Sequence, residues 1–147
     1  MQRSYEHFMK LALKEALYAY EEDEVPIGAI VVCNQQIIGK GYNHVEKLTD
    51  VTAHAEMIAI TAASNYLGNK FLESCEIYVT VEPCLMCATA LRWARIGKLI
   101  YGTGEPKTGF TTFQKPVLHP STEIIGGIME AECAAIMKQF FKEKRLG

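Results

Sequence analysis

Apolar residues return at Tyr5, Phe8, Met9, Ala12, Leu13, Ala16, Leu17 and Tyr20, the three-and-four spacing of one helical face. Ser4 stands where a helix cap belongs, and Glu6 and Lys10 pair on the polar side. Acidic residues 21–24 and then Pro26 end this helix. The apolar run 27–33, the pair Asn34-Gln35 and the run 36–42 predict a β-hairpin, although Asn-Gln is an ordinary turn pair rather than the strongest.

A second helix is expected from about residue 53 to 65, capped by Asp50 or Thr52, with Met57, Ile58 and Thr61 at helical spacing and Gly68 as its stop. Residues 76–82 alternate Ile77, Val79 and Val81 with more polar neighbours, the pattern of a strand. Pro83 suits the first position of a helix running from 84 to about 94, and 98–102 form a short strand behind it. Strand, helix and strand at this length predict a parallel crossover beside the antiparallel hairpin. Residues 103–121 have no clear period and are read as a long functional loop with room for a short helix. A strand at 123–125 and a helix from about 129 to 144 complete an α/β fold without repeats or linkers.

With 147 residues, 49% of them hydrophobic, the chain can bury one core, so a single domain over 1–147 is expected. Eleven glycines and five prolines are too few for a disordered or collagen-like chain. The longest uncharged apolar stretches, such as 27–33, fall far short of the roughly 20 residues that cross a bilayer. Lys10, Lys14 and Glu15 interrupt any secretory apolar region. A cytoplasmic protein without membrane association is therefore expected. A net charge of −2 excludes a global positive field, so nucleic-acid contact has to use a local patch. Five cysteines without a secretory signal argue against a disulfide framework and for metal, catalysis or burial.

Two motifs carry candidate chemistry, His54-Ala55-Glu56 and Pro83-Cys84-Leu85-Met86-Cys87. In a chain of this composition, about 0.4 accidental copies of His-x-Glu are expected but only about 0.006 of Pro-Cys-x-x-Cys, so the second weighs far more. A second His-x-Glu, His44-Val45-Glu46, lies among charges in an apparent loop, whereas His54 opens an apolar helical pattern. Cys84 and Cys87 share a helix face near its start, where backbone N–H groups favour thiolate. Two thiolates and one imidazole suit zinc and leave a fourth position for water, the mark of a catalytic site. Glu56 is the candidate proton carrier. A zinc ribbon needs a second Cys-x-x-Cys, and Cys33, Cys75 and Cys133 are isolated in apolar patterns, as core residues are. A thioredoxin-like redox pair remains open from the Cys-x-x-Cys alone, but leaves His-x-Glu unexplained. His7 and His119 read as surface or capping residues.

At these residues the chain resembles the zinc-dependent cytidine/deoxycytidylate deaminase superfamily, whose signature is His-x-Glu followed by Pro-Cys-x-x-Cys. It resembles the bacterial tRNA-specific adenosine deaminases over nearly its full length. The stretches that carry this likeness are 24–29, 52–56, 78–84, 95–97, 107–109 and 132–135, with Phe140-Phe141. The resemblance implies a three-layer α/β/α fold with a mixed sheet of about five strands, and one zinc per subunit held by His54, Cys84 and Cys87. It implies hydrolytic attack at C6 of a flipped-out adenine, with Glu56 moving the protons, and inosine and ammonia as products. It also implies that the Ala55 N–H and Pro83 border the reacting group and that Asn43 bonds the target nucleotide. Taken alone, Asn43 at a strand end reads as a turn residue.

By the same likeness the partner is a tRNA anticodon loop, that of the arginine tRNA with anticodon ACG, and the protein is a homodimer. Candidate RNA contacts are Glu105 in the 103–116 loop, and Phe140 and Arg145 on the last helix. Lys138, Lys142, Lys144 and Arg145 outweigh Glu143 there, although cations in a last turn also simply complement the helix dipole. The chain departs from the better-known members at Glu105, where they have Asp, at Thr89, where they have Gly, in Phe110-Thr111-Thr112-Phe113, and in a shorter 118–123 segment. These departures fall where substrate is contacted. The alternatives are a deaminase of a free base or nucleoside, such as guanine or cytosine, on the same zinc site, and a zinc-stabilised binding module without catalysis. Glu56 speaks against the last, because a structural site needs no nonligand carboxylate beside the metal.

Overall fold

Alternation along the strands splits the core into two clusters, one on each face of a sheet. In the computed structural model, which describes residues 2–146, the sheet is built from β1 (Gly28–Cys33), β2 (Gln36–Tyr42), β3 (Cys75–Val81), β4 (Lys98–Thr103) and β5 (Glu123–Ile125). The spatial order is β2-β1-β3-β4-β5. β1 runs antiparallel to both β2 and β3, while β3, β4 and β5 are mutually parallel neighbours, so the sheet is mixed. Ala29, Val31, Ile77, Val79 and Leu99 face one way, onto helices α3 (Ala55–Leu67) and α4 (Leu85–Ala94). Ile30, Val32, Tyr78 and Ile100 face the other way, onto α1 (Tyr5–Glu21) and Cys133 of α5 (Glu130–Leu146). Strands buried on both faces read as continuous apolar runs, as β1 does, whereas β3 is buried on both faces although Glu76 and Thr80 interrupt its sequence. The expected α/β/α layering and five-stranded mixed sheet are present.

Several local expectations are corrected. Residues Val45–Leu48 form a short helix, α2, rather than a loop. The buried Glu24 carboxylate receives the orphan N–H groups of Glu46 and Lys47 at 3.0 and 2.7 Å, which nucleates that turn. Neither Asp50 nor Thr52 caps α3; the cap position is His54, and the Asp50 carboxylate instead accepts from Thr52 N and Oγ1. Pro83 precedes the cap of α4 rather than opening the helix, and Cys84 is the cap. The Asn34-Gln35 turn has φ of 51° and 65°, the left-handed pair that a tight hairpin requires. Gln35 is held there by Arg3, whose backbone N–H donates to its Oε1 at 2.6 Å and whose guanidinium donates to its carbonyl. As expected, Ser4 caps α1 by accepting from His7 N at 3.1 Å, and Gly68 ends α3 in the left-handed region. The 103–121 loop holds one short helix, a 3-10 segment at Phe110–Thr112.

Glycines on β2 let α3 lie directly on the sheet. A Cβ at Gly41 would stand 2.4 Å from the Ala55 carbonyl oxygen, and one at Gly39 would stand 2.6 Å from that of Ala59. Close approach fixes the height of the helix whose first turn carries Glu56. Gly41→Ala is expected to lower stability by about 1–3 kcal/mol by overpacking. A thermal melt checks this, and an unchanged melting temperature would contradict the packing argument.

Candidate metal centre and active site

The carboxyl-terminal ends of β2, β3 and β4 lie side by side, because Gly28 at the start of β1 pairs with Tyr42, Ala29 pairs with Val79, and Val81 pairs with Thr103. In open α/β sheets ligands bind at such ends. The segments leaving those strands bring Asn43, Pro83-Cys84 and the 104–112 loop to one edge. Two helix starts converge there as well. His54 is the cap of α3, and Cys84 is the cap of α4 with Cys87 in its first turn. Their unpaired backbone N–H groups and positive dipole ends favour anionic groups.

His54, Cys84 and Cys87 place one ligand atom each within 4.8 Å of one another. His54 Nδ1 faces both sulfurs, at 3.6 Å from Cys84 Sγ and 3.5 Å from Cys87 Sγ. Zinc bonded tetrahedrally to sulfur at about 2.3 Å and nitrogen at about 2.0–2.1 Å sets those atoms about 3.5 Å apart. The donor set and its spacing therefore fit one zinc ion per chain. A hydrogen bond from Cys87, with His54 beside it, pushes the Cys84 thiol down to about 4, toward the thiolate that binds metal. Donation to Cys84, together with burial, pushes Cys87 up. His54 is raised, chiefly by its bond to Cys84.

Glu56 is 3% exposed in the first turn of α3. Burial pushes its carboxyl up to about 7, opposed by its own backbone N–H and by His54. A carboxyl poised near neutrality is matched to carrying protons. Glu56, Ala55, His54 and Asn43 line one cavity of about 250 Å³, shared with Glu24, Val25, Ile27, Val45 and Glu46. Asn43 is buried, and its Oδ1 has no hydrogen-bond partner among the described residues. A buried amide oxygen left unpaired is costly unless a ligand pairs it.

The remaining predicted site residues lie around this centre at different distances. Pro83 is buried between the cluster and the following loop, and its carbonyl accepts from Phe110 N at 3.0 Å. Glu105 is half-buried in that loop and accepts from Lys107 N at 3.0 Å, outside the lining of the cavity. Phe140 is 6% exposed and packs edge-on against Tyr20 and Phe141. It lines a second cavity, of about 800 Å³, that shares Glu24, Val25 and Glu46 with the first. Arg145 is exposed in the last turn of α5 and lines neither. His44 stays out of the metal cluster, with Nδ1 on the Tyr42 carbonyl at 2.6 Å. Thr89 donates to the Leu85 and Met86 carbonyls, both at 2.9 Å, so its hydroxyl is spent on its own helix. Cys75 and Cys133 are buried and Cys33 half-buried, as core residues; His119 accepts from Ser121 N in a turn, and His7 is exposed.

Residue-by-residue reading missed Glu24 and Glu82. Both are nearly fully buried acids, at 1% and 6% exposure. Their only sequence mark is an acidic residue directly next to an apolar stretch, which is too common to single them out.

Residues 2–103 match the model of the cytidine and deoxycytidylate deaminase zinc-binding region. The tRNA-specific adenosine deaminase of Agrobacterium fabrum is 46% identical over 145 residues, 95% of each chain. That of Aquifex aeolicus is 44% identical over 145 residues, again 95% of each. A solved structure from studies of A-to-I editing by tRNA:A34 deaminases at the wobble position of transfer RNA matches with a TM-score of 0.83, at 44% identity, across 88% of this chain and 98% of that one. With the zinc-binding motifs, the donor geometry and the whole length of the fold in agreement, the chain belongs to the cytidine and deoxycytidylate deaminase family, on its tRNA-specific adenosine deaminase branch.

Proposed function

We infer that the protein converts adenosine to inosine at the wobble position of a tRNA anticodon loop. The observation that carries this reading is a zinc-type donor set with a buried nonligand carboxyl and an unpaired buried amide oxygen on one small cavity, in a chain 46% identical to a tRNA-specific adenosine deaminase. His54, Cys84 and Cys87 hold the zinc, which when bound supplies Lewis-acid activation of water near neutral pH. Glu56 takes the proton of the attacking water and delivers protons to adenine N1 and to the departing amine. The C6–N bond breaks as the C6–O bond forms, and ammonia leaves. The Ala55 N–H, at the start of α3, and Pro83 border the reacting atoms. The Asn43 side chain bonds the target nucleotide, its Oδ1 accepting a hydroxyl or N–H donor.

A cavity of about 250 Å³ lies just under the usual ligand-pocket range, which begins at about 300 Å³, and suits one extruded base. Single-stranded RNA is read by splaying its bases onto aromatic and polar groups. Neighbouring nucleotides then run over the adjoining surface, where Phe140 and Lys144 line the larger cavity, while Glu105 and Arg145, which line neither cavity, are the remaining candidate contacts. The substrate is the arginine tRNA with anticodon ACG, on the strength of the family likeness. The same likeness supports a homodimer in the cytoplasm. No described helix is long and apolar enough to cross a membrane. A single domain over 1–147 is supported by helices from both ends of the chain, α1 and α5, packing on one sheet face.

Two measurements test this reading. Offered an arginine-tRNA anticodon stem-loop, guanine, cytosine, adenosine and cytidine in parallel, the zinc-loaded protein should release ammonia from the stem-loop. Turnover of a free base or nucleoside with an untouched stem-loop would refute the substrate. Asn43→Ala should lower kcat/KM by at least about tenfold, the scale of one buried hydrogen bond. Its melting temperature should hold or rise, because an unpaired buried acceptor is removed. Unchanged kcat/KM would remove Asn43 from the site.

A further inference from the structure

Glu82 is a buried acid that the zinc chemistry does not use. No lysine, arginine or histidine pairs with it among the described residues. Its carboxylate is occupied by the 104–112 loop. Oε1 accepts from Glu105 N at 3.0 Å, and Oε2 accepts from Thr111 N at 2.9 Å and from Thr111 Oγ1 at 2.8 Å. The two anchor points lie at opposite ends of the loop's tip, residues 106–108, which is exposed.

Other contacts seat the loop on the metal-ligand segment. Phe110 N donates to the Pro83 carbonyl at 3.0 Å, and Gly109 forms an isolated bridge with Cys84. The loop therefore lies against the metal-ligand segment on the β4 side of the sheet edge, with Asn43 at the end of β2 on the other side. Gly109 passes so close that a Cβ there would lie 2.1 Å from Glu82 Oε2. A carboxylate offers about four acceptor positions on two oxygens, so one side chain can hold both ends of the loop. No neutral side chain of that size can do so.

We propose that Glu82 is a positioning residue for specificity, whose carboxylate sets the conformation of the 104–112 loop as the β4-side wall of the nucleotide site. The proposal rests on the anticodon-loop reading above for its substrate. Glu82→Gln keeps the shape but turns an N–H₂ group toward one of the loop's donors. The zinc-loaded variant should keep its zinc and its kcat within about twofold. Its KM for the anticodon stem-loop should rise about tenfold, the scale of one lost hydrogen bond to a charged group.

Thr111→Val removes only the hydroxyl donor and should raise KM by about threefold. The double variant should raise KM by less than the product of the two single effects, because both loosen the same loop anchor. Hydrogen exchange gives a readout without substrate: in Glu82→Gln, the amides of Glu105 and Thr111 should exchange at least about tenfold faster than in the parent. Parental KM in Glu82→Gln, additive effects in the double variant, or unchanged exchange would overturn the proposal, and so would loss of zinc. If the parent leaves the stem-loop untouched, the substrate reading fails. The exchange result then decides the role of Glu82 by itself.

Discussion

Replacing Glu56 with Gln is expected to lower turnover by about a thousandfold or more while zinc content and melting temperature stay at parental values. Positioned proton transfer contributes typically 10²–10⁴-fold, about 3–5 kcal/mol of barrier. Gln has nearly the volume of Glu and keeps an acceptor oxygen, but it cannot pick up a proton at one atom and release it at another. Glu56 stands outside the three-residue donor cluster, so its replacement leaves the metal ligands intact. Burial disfavours its charged form, raising its carboxyl to about 7, so a neutral amide of the same shape avoids that penalty. Single-turnover kinetics, a zinc assay and a thermal melt on one preparation check the expectation. Loss of zinc or of folding together with activity would show that Glu56 acts through the structure and not as proton carrier.

Cys84→Ala has the second large effect, and it reaches stability as well as rate. Removing one of three donors leaves His54 and Cys87, one fewer than the three protein ligands of a catalytic zinc site. Zinc content should fall from one per chain to near zero after dialysis against a weak chelator, and activity should fall to background. Metal that binds only the folded chain stabilises it by mass action, by about 4 kcal/mol at a thousandfold excess over Kd. The parent in zinc should therefore melt well above the variant, and the parent stripped by chelator should melt close to it. Normal zinc content in the variant would contradict the ligand assignment.

How much of this was legible in the residues follows physical range. Helical and strand periods are local, so the elements could be read from the residues, but in the all-apolar β1 the split of Ala29 and Val31 from Ile30 and Val32 between the two sheet faces could not. The donor triad was legible because its chemistry needs rare residues at short spacing. Its tightness was not, since residues 54 and 84 meet only when α3 and α4 start at the same sheet edge. The cap of α3 was misread for a related reason. Asp50 and Thr52 are good capping types, but Asp50 bonds Thr52 locally and leaves the cap position to His54. Helix α2 escaped because its nucleating group, Glu24, lies some twenty residues upstream, and Glu82 escaped because its donors lie at 105 and 111. Phe140, a candidate RNA contact, is mostly buried against Tyr20 and lines the larger cavity.

The central claim is tested most directly by mapping product on intact tRNA. Arginine tRNA with anticodon ACG is incubated with the zinc-loaded protein, with Glu56→Gln as the blank, and then digested and read nucleotide by nucleotide. The expected result is inosine at the wobble position alone, with one ammonia released for each inosine formed and none in the blank. Unmodified adenosine at that position, under conditions where the same protein deaminates a free base or nucleoside, would contradict the account.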